Sequence, residues 1–253
     1  SRAGSASADA CAPCPAGTTT SRAGATSASE CATCAAGTVA PDPGSTLCAP
    51  CPDGTYWHQP AAGHATCRAC GAPTQYCTRG TRHTVPAGHY SVGGTGPTAR
   101  TGELACGSAA VYCRDGVQVP VLAGFFSTGG DDSSGQARTG QAPCGDTNHF
   151  CVDGVRSAVD SGHYSTGGAE NGTTRTGQAV CEPGYRCTDG VRTPCGNSSV
   201  FCASGQAHAV DVGHYSTGGA DDGTTRTGQA ACGSSRYFCV AGVRHDVRSG
   251  HYS

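Results

Sequence analysis

The chain of 253 residues contains no Met, no Lys and no Ile, with three Leu and a single Trp. Val, Leu and Phe together supply 26 residues, about a tenth of the chain, where a share below a fifth already argues against an ordinary core. A conventional enzyme-sized hydrophobic interior is thereby excluded. Neither sign of charge is in excess: 16 Arg against 18 acids leave a formal net charge of -2. Phosphate backbones and anionic lipid therefore meet no basic footprint, and nucleic acid is excluded as a partner. No run approaches the roughly 18 apolar residues of a membrane-spanning helix, so no membrane insertion is expected of this segment. No signal peptide is visible. The absence of Met, and a closing Gly250-His251-Tyr252-Ser253 that repeats the start of an internal motif, lead us to expect a piece of a longer repeat array.

What the chain has instead is 40 Gly, 14 Pro and 19 Cys. Gly raises the entropy cost of ordering the backbone, so something other than burial must hold the fold. Disorder would require high net charge and few cysteines. Cross-links are the better account, since each one that closes a loop of about 15 residues is worth roughly 3 kcal/mol in the chain-entropy model. So many cysteines imply an oxidising compartment and an extracellular or cell-surface location.

Two repeat periods are visible. Residues 1–20, SRAGSASADACAPCPAGTTT, align without a gap to residues 21–40, and looser copies follow, so that residues 1–70 hold four short Cys-x2-Cys repeats of about 20 residues. Residues 71–253 carry units of about 37 residues, marked by GHYS at Gly88, Gly162, Gly213 and Gly250 and by GFFS at Gly124. Each unit continues with STGG or SVGG, a Gly-rich turn, an RTGQ or RTGE segment, a Cys, a second Cys preceded in most units by Tyr or Phe, and commonly GVR. The units cover residues 88–123, 124–161, 162–212 and 213–249, with a new one starting at 250. The third contains a 14-residue insertion that duplicates a cysteine pair.

Gly or Pro interrupts almost every window of eight and no helical periodicity survives, so little helix is expected. Alternating stretches such as residues 117–121 and 207–212 predict short strands separated by irregular loops. The fold class expected is therefore a set of small disulfide-rich tandem repeats stacking into an elongated, rod-like array, because no unit is large enough to bury a core alone.

Cys11-x2-Cys14-x16-Cys31-x2-Cys34 has the spacing of a four-cysteine zinc ribbon, and Cys48, Cys51, Cys67 and Cys70 repeat it. A ladder of disulfides is the other reading. It pairs Cys14 with Cys31, Cys34 with Cys48, Cys51 with Cys67 and Cys70 with Cys77. It then pairs Cys106 with Cys113, Cys144 with Cys151, Cys181 with Cys187, Cys195 with Cys202 and Cys232 with Cys239. Only Cys11 is left unpaired, where a ladder cut from an upstream repeat leaves an orphan. Spacing alone does not decide connectivity.

The runs Cys-Ala-Pro-Cys-Pro-Ala-Gly-Thr from Cys11 and Cys-Ala-Pro-Cys-Pro-Asp-Gly-Thr-Tyr from Cys48 resemble ephrin-receptor-like and tumour necrosis factor receptor-like cysteine-rich modules, over about residues 8–77. The resemblance implies an extracellular, disulfide-bonded module. The GHYSTGG…GTTRTGQAxC units are similar to longer repeats of large extracellular proteins of algae and other protists, including mastigoneme-like flagellar-hair proteins.

No residue pattern calls for catalysis. His89, His163, His214 and His251 hold one motif position, but the second unit places Phe125 there, which fits packing better than proton transfer. Turn acids at Asp131-Asp132, Glu170 and Asp221-Asp222 are too few for a calcium cage. Arg100, Arg138, Arg175 and Arg226, which recur in the RTG segments, are expected to bond turn carbonyls or an acid. Asn171 and Asn197 are N-glycosylation acceptors, and Thr/Ser-rich stretches invite O-linked sugar. Glycans are thus expected while no cofactor or metal is. Tyr56-Trp57-His58, unique in the chain, is the one candidate for ligand contact, and packing at the junction between the two repeat types suits it equally well. The function expected is a structural component of an extracellular fibre, filament or flagellar appendage, self-associating and joined by other surface proteins. The alternative is an adhesive or receptor-like ectodomain for a protein or carbohydrate ligand.

Overall fold

The computed structural model describes residues 12–20, 27–130, 136–168, 172–220 and 223–251. Among these, regular structure consists of short strand pairs and one three-residue 3-10 turn, Ala28–Glu30. The strands cannot run longer, because Gly and Pro punctuate the chain every few residues. The chain is a tandem array of disulfide-stapled β-hairpins of two kinds.

Tight hairpins close through two residues. Their strands are Gln75–Thr78 with Thr81–Thr84, Val111–Arg114 with Val117–Pro120, and His149–Val152 with Val155–Ala158. Three more follow: Tyr185–Thr188 with Val191–Pro194, Val200–Ala203 with Gln206–Ala209, and Tyr237–Val240 with Val243–Asp246. Both turn residues have positive φ, as at Asp189 (53°) and Gly190 (68°), the geometry of a type I′ turn whose twist matches the strands. Broad hairpins instead carry the GHYS or GFFS strand and pair it with the strand after RTG: His89–Val92 with Gly102–Ala105, His163–Thr166 with Gly177–Val180, and His214–Thr217 with Gly228–Ala231. Phe125–Thr128 and Gly140–Pro143 form the fourth. Thr38–Val39 with Ala49–Pro50 and Thr55–His58 with Thr66–Ala69 play the same part nearer the N-terminus.

Two compact units divide the chain, residues 1–120 with 129–140, and residues 121–128 with 141–253. In the first, disulfides join Cys14–Cys31, Cys34–Cys48, Cys51–Cys67, Cys70–Cys77 and Cys106–Cys113. One backbone bond recurs beside them. The N–H groups of Cys34, Cys51, Cys70 and Cys106 donate to the carbonyls of Gly17, Gly37, Gly54 and Gly88 at 2.9–3.1 Å. The bond runs unchanged past residue 71, where the repeat length changes. Successive hairpins are joined by Trp57 N–H to Gly80 O at 2.8 Å and Ser91 N–H to Gly116 O at 2.9 Å.

The second unit continues the scheme with disulfides Cys144–Cys151, Cys181–Cys187, Cys195–Cys202 and Cys232–Cys239. Cys144, Cys181, Cys195 and Cys232 donate to Gly124, Gly162, Gly184 and Gly213 at 2.8–3.0 Å. The 14-residue insertion carries the tight hairpin from Tyr185 to Pro194. Toward the N-terminus it takes the bond of any tight hairpin, Ser165 N–H to Gly190 O at 2.9 Å. Toward the C-terminus it behaves as the Thr55–His58 hairpin does, with Gly184 N–H donating to Cys202 O at 3.0 Å and Cys187 N–H to Gly205 O at 2.9 Å.

Burial is confined to a thread of small groups. The largest fully buried side chains among the described residues are cysteines, with Cys70, Cys77, Cys106, Cys144 and Cys202 below 2 % exposure. Ser91, Ser127, Ser165 and Ser216 are buried too, each hydroxyl donating to a glycine carbonyl of the following hairpin. Many aliphatic side chains are left outside: Leu47, Leu122, Val180 and Val212 are exposed. Trp57 occupies the repeat position that Ser91 holds in the next hairpin pair. Its ring packs on an apolar cluster of Val39, Cys51 and Ala65, the one such cluster among the described residues.

A polar clasp closes three of the broad hairpins. Gln141, Gln178 and Gln229 accept through Oε1 the N–H of Leu122, Asp160 and Asp211 at 2.7–2.8 Å. The last two amides also donate to the Asp160 and Asp211 carboxylates. In the first unit the corresponding residues are Pro86, which has no N–H, and Glu103, whose Oε2 is buried without a partner.

Candidate functional site

The repeated feature with chemical character is an arginine–aromatic cradle. The Arg of the second tight-hairpin strand lies directly opposite a cysteine, as Arg156 does to Cys151, Arg192 to Cys187 and Arg244 to Cys239. Cross-strand partners share a face, so each guanidinium is held beside the staple. From there it covers the aromatic at the second position of the preceding broad hairpin's first strand. Arg82 lies 4.5 Å from the Tyr56 ring centre, Arg156 5.9 Å from Phe126, Arg192 5.2 Å from Tyr164 and Arg244 4.8 Å from Tyr215. Arg192 and Arg244 also lie 4.5 Å from Tyr185 and Tyr237 of their own hairpins. Attraction between guanidinium and ring quadrupole contributes about 0.5–1 kcal/mol at such exposed sites.

Two cradles hold a carboxylate from this chain. Glu182 accepts from Arg192 Nη1 at 2.9 Å and from the Tyr164 hydroxyl at 3.4 Å. Its carboxyl is held below its ordinary pKa, first by its own backbone N–H and then by Arg192, whose guanidinium is pushed up in return. Asp146 lies 3.9 Å from Arg156 and accepts from His149 Nδ1 at 2.7 Å, and that hydrogen bond is the largest cause of its lowered pKa. Among the described residues, no carboxylate forms an ion pair with Arg82 or Arg244. Beside the Arg192 cradle, Tyr164, Ser165, Arg175, Gly190 and Val191 line a shallow groove of about 270 Å³.

The residues singled out from sequence fall as follows. All eighteen described cysteines are disulfide-bonded, so none is a thiolate and the zinc reading gives way. Among the described residues no group of three or more His, Cys, Asp or Glu is placed to hold a metal. His89, His163 and His214 donate through Nδ1 to the carbonyl two residues earlier, at 3.2 Å in each case. Arg100, Arg175 and Arg226 donate to the carbonyls of Gly93, Gly167 and Gly218. Asn197 is exposed in the loop between Cys195 and Cys202, and its Oδ1 accepts from the N–H and hydroxyl of Ser199. Cys11, Asn171 and the acids at 131, 132, 170, 221 and 222 lie outside the described residues. Trp57, the ligand-contact candidate, is taken up in packing.

The cradles were not singled out from sequence. Their signal is the pairing of GVR with an earlier aromatic, which only the fold brings together. Among the described residues no helix is long and apolar enough to cross a membrane, and nine disulfides belong to an oxidising environment. Comparison with protein families, curated proteins and solved structures finds no match to this chain.

Proposed function

We propose that the chain is a structural segment of an extracellular, glycosylated fibre or cell-surface appendage, such as a flagellar hair, built by self-association of disulfide-stapled repeats. The observation that carries this reading is the recurrence of one bond, Cys N–H to Gly C=O, at eight steps of the described chain. A strut needs the same junction many times, whereas an enzyme needs one unlike place. The loose resemblance of the GHYSTGG units to mastigoneme-like repeats points the same way. In this reading the chain has no catalytic role and needs no cofactor. The adhesive-ectodomain reading loses its main support because Trp57 packs on Val39, Cys51 and Ala65. Electron microscopy of the natively secreted material tests the proposal. Filaments whose axial spacing is commensurate with the sequence units are expected, and discrete particles without such a spacing would overturn it.

A further inference from the structure

Five tight hairpins of the described chain share one entrance: two bonded cysteines seven residues apart, with a glycine directly after the first. Those glycines are Gly71, Gly107, Gly145, Gly196 and Gly233, at φ of 96–127°. Four of the five entrances receive the same guest. Gly71 N–H donates to Thr98 O at 3.0 Å and Cys77 N–H to Arg100 O at 2.9 Å. Gly107 and Cys113 donate in the same way to Gln136 and Arg138, Gly145 and Cys151 to Thr173 and Arg175, and Gly196 and Cys202 to Thr224 and Arg226, all at 2.8–3.0 Å. The carbonyl between each pair of acceptors, that of Ala99, Ala137, Thr174 or Thr225, comes so close to Gly54, Gly88, Gly124 or Gly184 that a Cβ there would overlap it. Each RTG arm is thus seated by three consecutive carbonyls. Arg100, Arg175 and Arg226 hold their own arms in shape through the bonds to Gly93, Gly167 and Gly218.

The fifth entrance is open. Gly233 and Cys239 donate to no other segment among the described residues, and a Cβ built on Gly213 would meet nothing within 4 Å. Cys232 and Cys239 are half-buried, whereas the eight cysteines of the other four staples are buried. Phe238 is 42 % exposed, while its counterparts Tyr76, Tyr112, Phe150 and Phe201 are half-buried. The Cys181–Cys187 hairpin shows what a different guest requires: a spacing of six, Glu182 in place of glycine, and Cys187 N–H donating to Gly205 O of a tight hairpin. The spacing of seven and Gly233 therefore select an arm. We infer that the Tyr237–Asp246 hairpin, together with Gly213, is a docking site for one more RTG arm, a Gly-Thr-Thr-Arg-Thr-Gly segment of a further repeat unit. The four arms of the described chain are already seated, so a second folded copy has none to offer. Affinity comes from main-chain bonds, as in strand addition, and Gly213 leaves the room that the middle carbonyl needs.

The test adds a synthetic peptide of residues 213–231 to the full disulfide-bonded chain and follows amide hydrogen exchange by NMR. At a peptide concentration about nine times its Kd, exchange of Gly233 and Cys239 should slow about tenfold. Gly196 and Cys202, whose site is filled, should not change. An ester in place of the Thr224–Thr225 amide makes the Thr224 carbonyl a poorer acceptor, and that peptide should bind roughly fivefold more weakly. Gly213→Ala in the chain should weaken binding at least as much. The Cys232 amide, which donates to Gly213 O at 2.8 Å, reports whether the hairpin survives that change, and the ester peptide decides the matter if it does not. Unchanged exchange at Gly233 and Cys239 up to millimolar peptide would overturn the inference. Equal protection by a scrambled peptide would do the same, by making the site a receiver of any extended chain. Peptide binding by a chain that never forms filaments would sink the fibre reading alone, and filaments from a chain that ignores the peptide would sink the docking site alone.

Discussion

Replacing Gly190 by Ala adds one methyl group at the point where two hairpins of the second unit meet. The Cβ would overlap the carbonyl oxygen of Thr147, a backbone atom that cannot rotate away. Gly190 also has φ 68°, where a side chain costs about 1 kcal/mol or more. Moving the turn aside breaks Ser165 N–H to Gly190 O at 2.9 Å and Thr147 Oγ1 to Asp189 O at 2.7 Å, each worth about 1 kcal/mol. The expected loss is about 3 kcal/mol, confined to the neighbouring hairpins because a tandem array is held step by step. Asp189→Ala is the control. Its backbone bonds persist, and Ala241 occupies the equivalent position at φ 48°, so less than about 1 kcal/mol is expected. Hydrogen exchange of the Ser165 amide reads the difference directly. Its protection should fall roughly a hundredfold in Gly190→Ala and little in Asp189→Ala. Equal protection in the two variants would refute the claim that the turn glycine is fixed by contact between hairpins.

Further outcomes follow from other sites. The double change Pro86→Asp with Glu103→Gln should install the clasp seen at Asp160 and Gln178 and stabilise the first unit by about 1 kcal/mol in thermal unfolding, whereas Glu103→Gln alone should gain less. The carboxyls of Asp146 and Glu182 are held below their ordinary values. Their contribution is therefore full above the unfolded carboxylate range near pH 4 and is lost as pH falls through the folded values. Acid titration of Asp146→Asn should show a smaller drop than wild type below pH ~4, and an identical drop would remove the His149–Asp146 pair from the account. Tryptic cleavage of reduced, natively secreted protein separates residues 157–175, with Asn171, from residues 193–226, with Asn197. An amidase that removes N-glycans should convert Asn197 to Asp in the second peptide, and an unmodified Asn197 throughout would exclude sugar there.

The staples were legible because they are local: most cysteine partners lie six or seven residues apart, so spacing proposes a pairing that loop closure can test. Hairpin boundaries were harder. The run from Val117 to Val121 reads as a strand, yet the strand ends at Pro120 and its partner precedes it, across Asp115-Gly116. That dipeptide between apolar runs is a hairpin signal, hidden in a chain where glycine is everywhere. Residues 207–212 likewise alternate to the end, but the strand stops at Ala209, and Val210 turns its N–H to Ser199. The cradles were illegible for a different reason. Tyr164 and Arg192 meet across a whole hairpin, and no local period marks such a distance. Sequence left Trp57 open between ligand contact and packing, because rarity marks both; it fills a position that serine fills elsewhere and packs on Val39, Cys51 and Ala65.

The inserted hairpin from Tyr185 to Pro194 has a consequence for how such a chain changes over generations. One of its sides accepts what a tight hairpin accepts, and the other offers what a broad one offers. Its ends are interchangeable connectors, and residues 181–194 contain both cysteines of its disulfide, Cys181 and Cys187. A duplication of 14 residues therefore splices in as one more link, with no downstream partner forced out of step. Length becomes a quantity that can be adjusted in small and large increments without redesigning a single neighbour.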